Sequence, residues 1–406
     1  MKKMNSNKIC VIGLGYIGLP TAAILANNGY SVCGVDINES VVKIINNGQI
    51  HIIEPELDKL VESTVNSAKL FAKGKPVESD VFLIAVPTPF KNNYEPNIDF
   101  VINATISLIE VLKPGNLIIL ESTSPIGTTE LILETLINNN VDTSEIFIAH
   151  CPDRVLPGNI IFELIHNDRI VGGINYNSSN KAKQFYQTFV KGEVIITDSR
   201  TAELCKLVEN SFRDVNIAFA NELSIICNRA NINVWDLINL ANRHPRVNIL
   251  KPGVGVGGHC IAVDPWFIVS QFPNDSKLIK QARTSNINKT DWVVENIRDI
   301  IKNFKLKNGI SPKVALLGLS FKPDIDDLRE SPALLISSLL SDEFRNNQDF
   351  IFIEPNLTEH DFIKLTELND LHISNIDIVV YLVSHKLFKN LKFSNEIMIL
   401  DYCGII

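Results

Sequence analysis

The sequence predicts an α/β protein in which two parallel-sheet domains are joined by a long central helix, and three observations predict it. Short apolar, β-rich runs alternate with helical patterns as far as residue 197. The segment from Thr201 to about Asn231 contains neither Gly nor Pro. After Gly309-Ile310-Ser311-Pro312 a second alternation begins. Apolar runs of strand length separated by helical periodicity are the pattern of parallel sheets covered by helices on both faces. The expected domains are therefore 1–197, 198–305 and 306–406.

In chain order, the first domain's strands are expected at Ile9–Ile12, Ser31–Val35, Val81–Val86, Leu117–Leu120, Ile146–Ala149 and Arg169–Val171. The Gly- and Pro-free segment carries Ala, Leu, Glu and Phe at helical spacing, with Ser199 or Thr201 placed to cap it, and predicts one long helix linking the domains. A further helical region extends to about Phe304. The last domain is expected to build its sheet from Val314–Leu317, Phe350–Ile353, Ile378–Val383 and Ile397–Leu400. No repeat or low-complexity segment interrupts this plan.

Composition excludes several classes of function. The 406 residues, 45% of them hydrophobic, suffice for two or three buried cores. A net charge of −8 gives no global basic field for nucleic acid or a membrane surface, so an anionic ligand must be held by local clusters of Lys and Arg. The seven cysteines are scattered, with no CxxC or Cys/His ligand spacing, which fits reduced thiols in a cytoplasmic protein and no metal. Basic Met1–Lys8 followed by uncharged Ile9–Val35 superficially matches a secretion signal. Glycines at 13, 15, 18, 29 and 34, Pro20 and the Asn27-Asn28-Gly29 turn break that stretch into a strand, a helix and a second strand. No later segment has the length and apolarity of a bilayer span.

Gly13-Leu14-Gly15-Tyr16-Ile17-Gly18 places GxGxxG where the first strand turns into a helix. The first glycine permits the tight turn, the second lets backbone approach a pyrophosphate, the third packs helix on strand, and the helix N-terminus offers amide donors. Asp36 ends the second strand, where a carboxylate accepts hydrogen bonds from an adenosine ribose and repels a 2′-phosphate. Together these residues predict a Rossmann-like domain binding NAD rather than NADP, with Gly13, Gly15, Tyr16, Ile17, Gly18 and Asp36 as contacts. Thr88 and Thr123, in the strand ends Val86-Pro87-Thr88-Pro89 and Glu121-Ser122-Thr123-Ser124-Pro125, are further candidate contacts, with ordinary turn residues as the alternative.

Along the long helix Lys206, Asn210 and Arg213 fall at i, i+4 and i+7, one helical face. Spacing alone leaves a solvated stripe open. Two features nearby point to chemistry: the cationic Arg243-His244-Pro245-Arg246, and the glycine loop Gly253-Val254-Gly255-Val256-Gly257-Gly258-His259-Cys260 with Asp264 four residues on. The loop lets backbone approach a ligand and presents the thiol of Cys260 as a nucleophile; the alternative is a buried cysteine acting as a small hydrophobe. His259, Lys206 or a helix terminus are candidates to favour its thiolate, and Asp264 to orient or deprotonate a water. A dinucleotide and a thiol in one protein suit a two-step oxidation: alcohol to aldehyde, then a cysteine thiohemiacetal to a thioester that water hydrolyses. Lys206 and Asn210 would stabilise the oxyanion.

These residues resemble the UDP-glucose/GDP-mannose dehydrogenase family over essentially the whole chain. The marks are Gly13–Gly18, the two strand ends, Glu203–Arg213, Asn221-Glu222, the Cys260 loop, and Gly318–Asp324 through Asp327–Pro332. The resemblance implies an NAD domain, a central helix carrying a homodimer interface and a C-terminal domain gripping UDP. It makes Lys206 and Cys260 catalytic, gives Asp264 the water, and sets Phe321 and Lys322 on the sugar nucleotide and Arg329 near the cofactor. Gly257-Gly258-His259-Cys260 is similar to members acting on UDP-N-acetylhexosamines. Cys151–Gly158, Asn242–Leu250 and Ala262–Phe267 resemble members acting on UDP-N-acetylmannosamine, which supply a uronic acid for enterobacterial common antigen, O-antigen or capsule. That likeness implies Arg154, Val155, Arg213, His244, Arg246 and Gly257 along the sugar and diphosphate. UDP-N-acetylglucosamine or UDP-N-acetylgalactosamine is the alternative substrate. An inactive nucleotide-sensing module is the remote alternative, opposed by intact Lys206, Asn210, Cys260 and Asp264. Two residues depart from the pattern: Asp153 stands where Glu is usual, and Cys403 where relatives often carry Lys or Arg.

Overall fold

A computed structural model describes residues 8–91, 94–156, 158–258, 260–343, 350–361, 363–368 and 376–406. The chain forms two compact units, Met1–Val208 and Glu209–Ile406.

The first unit carries an eight-stranded sheet in the order β3-β2-β1-β4-β5-β6-β7-β8, where β1 is Lys8–Ile12, β2 Ser31–Val35, β3 Leu70–Lys73, β4 Val81–Ile84, β5 Leu117–Leu120, β6 Phe147–His150, β7 Arg169–Gly173 and β8 Val194–Asp198. Every residue of β4 and β5 is buried, as expected of central strands covered on both faces. One face packs Val11, Leu83 and Ile119 against α1 (Gly18–Asn27) and α3 (Leu57–Asn66). The other packs Cys10, Phe82 and Ile118 against α4 (Asp99–Leu108) and α5 (Thr128–Asn138).

Three details differ from the sequence expectation. β7 runs antiparallel to β6 through only two residue pairs, Ala149 with Gly173 and His150 with Gly172, and an apolar run carries no information on strand direction. β3 and β8 are additional edge strands, each with one face or more in solvent, so neither reads as a continuous apolar run. β4 stops at Ile84 because the chain turns into the Val86-Pro87-Thr88-Pro89 segment.

The long helix is α8, Ser199–Ala230, and the division between the units falls within it. Its cap is Asp198, whose carboxylate accepts from Thr201 N at 2.9 Å and Thr201 Oγ1 at 2.7 Å; Ser199 and Thr201 themselves lie inside the helix. In the second unit follow α9 (Val234–Ala241), α10 (Asp264–Gln271) and α11 (Lys277–Asn308), the last ended by Gly309 at φ +75°. The C-terminal sheet is parallel throughout, in the order β10-β9-β11-β12, with β9 Val314–Leu317, β10 Phe350–Ile353, β11 Ile378–Tyr381 and β12 Met398–Asp401. Val293, Ile297 and Ile301 of α11 pack on Val314, Leu316 and Val380 of that sheet.

Candidate active site

In the first unit each glycine of the β1–α1 turn has a separate structural reason. Gly13 adopts φ +89°, and a Cβ there would lie 2.4 Å from the Ala85 carbonyl oxygen. A Cβ at Gly18 would lie 1.8 Å from the Gly13 oxygen, so that glycine lets the helix start against the turn. A Cβ at Gly15 would meet no atom within 4 Å; its side chain is missing for a reason other than packing, which fits close approach by a dinucleotide. Asp36 follows β2 directly. Its Oδ2 accepts from Leu14 N at 3.1 Å and its Oδ1 from Asn38 N at 2.9 Å, which sets the carboxylate beside the glycine turn. The β4 and β5 ends are joined by Thr88 Oγ1, which donates to the Thr123 carbonyl at 2.6 Å. Tyr16, Ile17, Thr88 and Thr123 are half-buried.

Lys206 also belongs to this unit and is 7% exposed. Its Nζ donates to the Asp153 carbonyl at 2.8 Å and lies 3.9 Å from the Asp153 carboxylate. The solvated-stripe alternative therefore fails at Lys206. Beside it His150 ends β6; burial first, and the Lys206 charge in addition, pull this imidazole down to about 3, so it is neutral. The start of α8 is held by Glu203, whose carboxylate accepts from Gly127 N (2.6 Å), Thr129 N (2.7 Å) and Thr129 Oγ1 (2.6 Å) at the N-terminus of α5. Burial lifts this carboxyl above its ordinary range, and the three donors pull the other way. Arg154 Nη1 donates to the Asp168 carbonyl at 3.2 Å, and Val155 packs against the core.

In the second unit Asn210 is 9% and Asp264 3% exposed, and Asn210 Nδ2 donates to Asp264 Oδ2 at 2.5 Å. Asp264 opens α10, with its N–H bonded to the Cys260 carbonyl at 2.8 Å. One short turn thus sets the half-buried Cys260 just before a helix N-terminus, four residues from a buried carboxylate. His259 lies outside the described residues.

Three glycines of the loop are set closely against protein. A Cβ at Gly255 would lie 2.3 Å from Thr290 Oγ1, at Gly257 2.5 Å from the Glu330 carbonyl, and at Gly258 2.8 Å from the Phe321 ring. At these three glycines a Cβ would collide with protein atoms, so their lack of a side chain is what lets the loop pack there. Gly258 N donates to the Arg329 carbonyl at 3.1 Å, so the Cys260 loop is tied to the Gly318–Pro332 segment that holds Phe321 and Lys322. Arg329 pairs with Asp327 at 2.6 Å.

Arg213, His244 and Arg246 are exposed. Sequence reading missed a buried network: Asp214 accepts from Arg283 Nη1 at 2.6 Å and from Asn286 Nδ2 at 2.7 Å. Asn286 Oδ1 in turn accepts from Asn221, whose own Oδ1 accepts from Gly253 N. Partners 32 to 72 positions apart leave no spacing signal. Cys403 Sγ faces Asp401 Oδ1 at 3.5 Å, and its thiol is pushed well up, by burial first and then by Asp401.

Three domains of the UDP-glucose/GDP-mannose dehydrogenase family match in order: the NAD binding domain at residues 7–190, the central domain at 200–288 and the UDP binding domain at 315–406. The chain belongs to this family. It is therefore an NAD-dependent dehydrogenase, and the turn at Gly13–Gly18 with Asp36 lies in the family's NAD binding domain. A UDP-N-acetyl-D-mannosamine dehydrogenase of Campylobacter jejuni is 55% identical over 399 residues, covering 94% of this chain and 96% of that one. An NDP-N-acetyl-D-galactosaminuronic acid dehydrogenase of Ralstonia nicotianae is 48% identical, covering 94% and 92%. Among solved structures, the UDP-N-acetyl-mannosamine dehydrogenase of S. aureus superposes with a TM-score of 0.85 at 41% identity, covering 98% of this chain and 99% of that one. Among the described residues no helix is long and apolar enough to cross a membrane.

Proposed function

We propose that this dehydrogenase oxidises C6 of UDP-N-acetyl-D-mannosamine to the carboxylate, releasing UDP-N-acetylmannosaminuronate. The single observation that carries the substrate is the 55% identity over 399 residues to a relative named for it. The galactosaminuronic acid dehydrogenase at 48% keeps the galacto epimer as the second reading.

NAD, when bound at Gly13–Gly18 and Asp36, supplies the hydride acceptor for both oxidations, alcohol to aldehyde and thiohemiacetal to thioester. Asp36 receives the ribose hydroxyls, and Thr88, Thr123 and Arg329 complete the cofactor's contacts. Between the oxidations the Cys260 sulfur bonds to the aldehyde carbon, and the thiol proton passes to the carbonyl oxygen. After them, water adds to the thioester carbon, the C–S bond breaks, and Cys260 recovers its proton. The Asn210 amide holds the Asp264 carboxylate in place to take a proton from that water. Lys206, fixed by the Asp153 carbonyl, and Asn210 stabilise the oxyanions. Arg154, Val155, Arg213, His244, Arg246, Gly257, Phe321 and Lys322 line the sugar and diphosphate.

Exposed Phe212, Phe219 and Ile226, seven residues apart on one face of α8, support a homodimer through that helix. The composition supports a cytoplasmic enzyme. NADH formation with UDP-N-acetylmannosamine, UDP-N-acetylglucosamine, UDP-N-acetylgalactosamine and UDP-glucose tests the substrate. The manno epimer is expected to give the highest kcat/KM and UDP-glucose a poor one, because it leaves the acetamido partners unpaired. A higher kcat/KM for the gluco or galacto epimer would overturn the assignment.

A further inference from the structure

A cavity of about 540 Å³ opens in the second unit among α8, α9, α11 and the end of β12, and Asn210, Cys260 and Asp264 are not among its walls. Its walls include the rings of Trp235, Trp292 and Tyr402 and the amides of Asn228 and Asn231. Lys289 reaches it from α11 while only 2% exposed. The Lys289 ammonium donates one hydrogen bond, to Ser224 Oγ at 2.8 Å, and lies 4.0 Å from the Trp292 centroid and 5.9 Å from that of Tyr402. Ser224 is a neutral acceptor that donates its own hydrogen bond to the Asn221 carbonyl. Among the described residues no carboxylate lies within ion-pair distance of Lys289. Asp401 lines the same cavity, but its oxygens accept from the backbone N–H groups of Cys403, Gly404, Ile405 and Ile406. A buried cation with ring faces and one hydroxyl for company is costly unless an anion completes it.

We propose that this cavity binds a hexuronic acid, its carboxylate paired with Lys289 and its sugar ring laid against the aromatic walls. The single cation calls for a monoanion, since the nearby Asp401 charge repels a second negative charge. Ring C–H faces suit the aromatic walls, and the Asn228 and Asn231 amides suit hydroxyl or acetamido groups. The volume falls in the range of about 300–1,000 Å³ usual for small-ligand sites.

Burial draws Lys289 down to about 7, so ligand binding should follow its protonation. The other titratable groups on the cavity are Asp401, anchored as above, Cys227, and Tyr402, which burial pushes further up from its ordinary value. Two of the chain's three tryptophans line the cavity, so tryptophan fluorescence reports occupancy directly. The full-length enzyme is titrated, without turnover, with sodium glucuronate, glucose and inorganic phosphate. Saturable quenching by glucuronate is expected, with no matching effect of glucose or phosphate and an affinity about tenfold weaker at pH 8 than at pH 6. Lys289→Met is expected to abolish the quenching while keeping the circular dichroism spectrum and the rate of NADH formation. If that variant does not fold, Asn228→Ala and the pH dependence of the wild type decide. Equal binding by Lys289→Met, binding independent of both pH and Asn228, phosphate binding as tightly as glucuronate, or no quenching in the wild type would overturn the proposal. None of these results depends on which UDP-sugar the enzyme oxidises.

Discussion

At the scale of single residues, the side chains legible in the sequence are those whose chemistry needs a particular neighbour in the chain. Gly13, Gly18 and Asp36 belong to one strand–turn–helix unit, and Cys260 and Asp264 to one turn entering α10. Asp153 as the partner of Lys206 was not legible, because 53 residues separate them and only the fold brings them together. Asp36→Ala is expected to lower kcat/KM with NAD and narrow the preference over NADP, since it removes the ribose acceptor and the anchor of Leu14 N. Steady-state kinetics with both cofactors checks this. Lys206→Ala is expected to reduce kcat by about 100- to 1,000-fold with a much smaller change in KM, because a positioned cation acts on charge that develops in the transition state. A change confined to KM would make Lys206 a binding residue.

At the scale of elements, strands with two covered faces were read to within a residue or two, as at β2, β5 and β9, because burial on both sides leaves an uninterrupted apolar run. Edge strands β3 and β8 and the reversed direction of β7 escaped, since their pairing is set by neighbours rather than by composition. Three glycines of the Cys260 loop make room for Thr290, Glu330 and Phe321, contacts with distant residues that the loop's composition does not signal. Gly258→Ala is accordingly expected to damage the loop even without substrate, through strain at φ +79° and collision with the Phe321 ring. The position of α8 rests on Glu203, a fully buried carboxylate with three donors. Glu203→Ala leaves those donors unpaired at the end of α5, and a loss of about 2 to 4 kcal/mol in denaturant unfolding is expected.

At the scale of the whole molecule, the three expected domains follow changes of periodicity along the chain, while the structure divides into two compact units inside α8, where the helical pattern is continuous and leaves no boundary signal. The stripe Phe212, Phe219, Ile226 is the helix face left without cover. Phe219→Glu is expected to convert the proposed dimer to monomer in light scattering, and an unchanged mass would move the interface elsewhere.

The central claim is that one thiol carries the sugar between two oxidations, and NADH stoichiometry under single turnover with intact mass spectrometry tests it most directly. Wild-type enzyme is expected to form two NADH per sugar without free aldehyde. Cys260→Ala is expected to bind NAD and UDP-sugar but lose the second oxidation, while Cys260→Ser stalls as a slowly hydrolysed oxygen ester. A Cys260→Ala enzyme that still forms two NADH per sugar at near wild-type rate would contradict the thioester route.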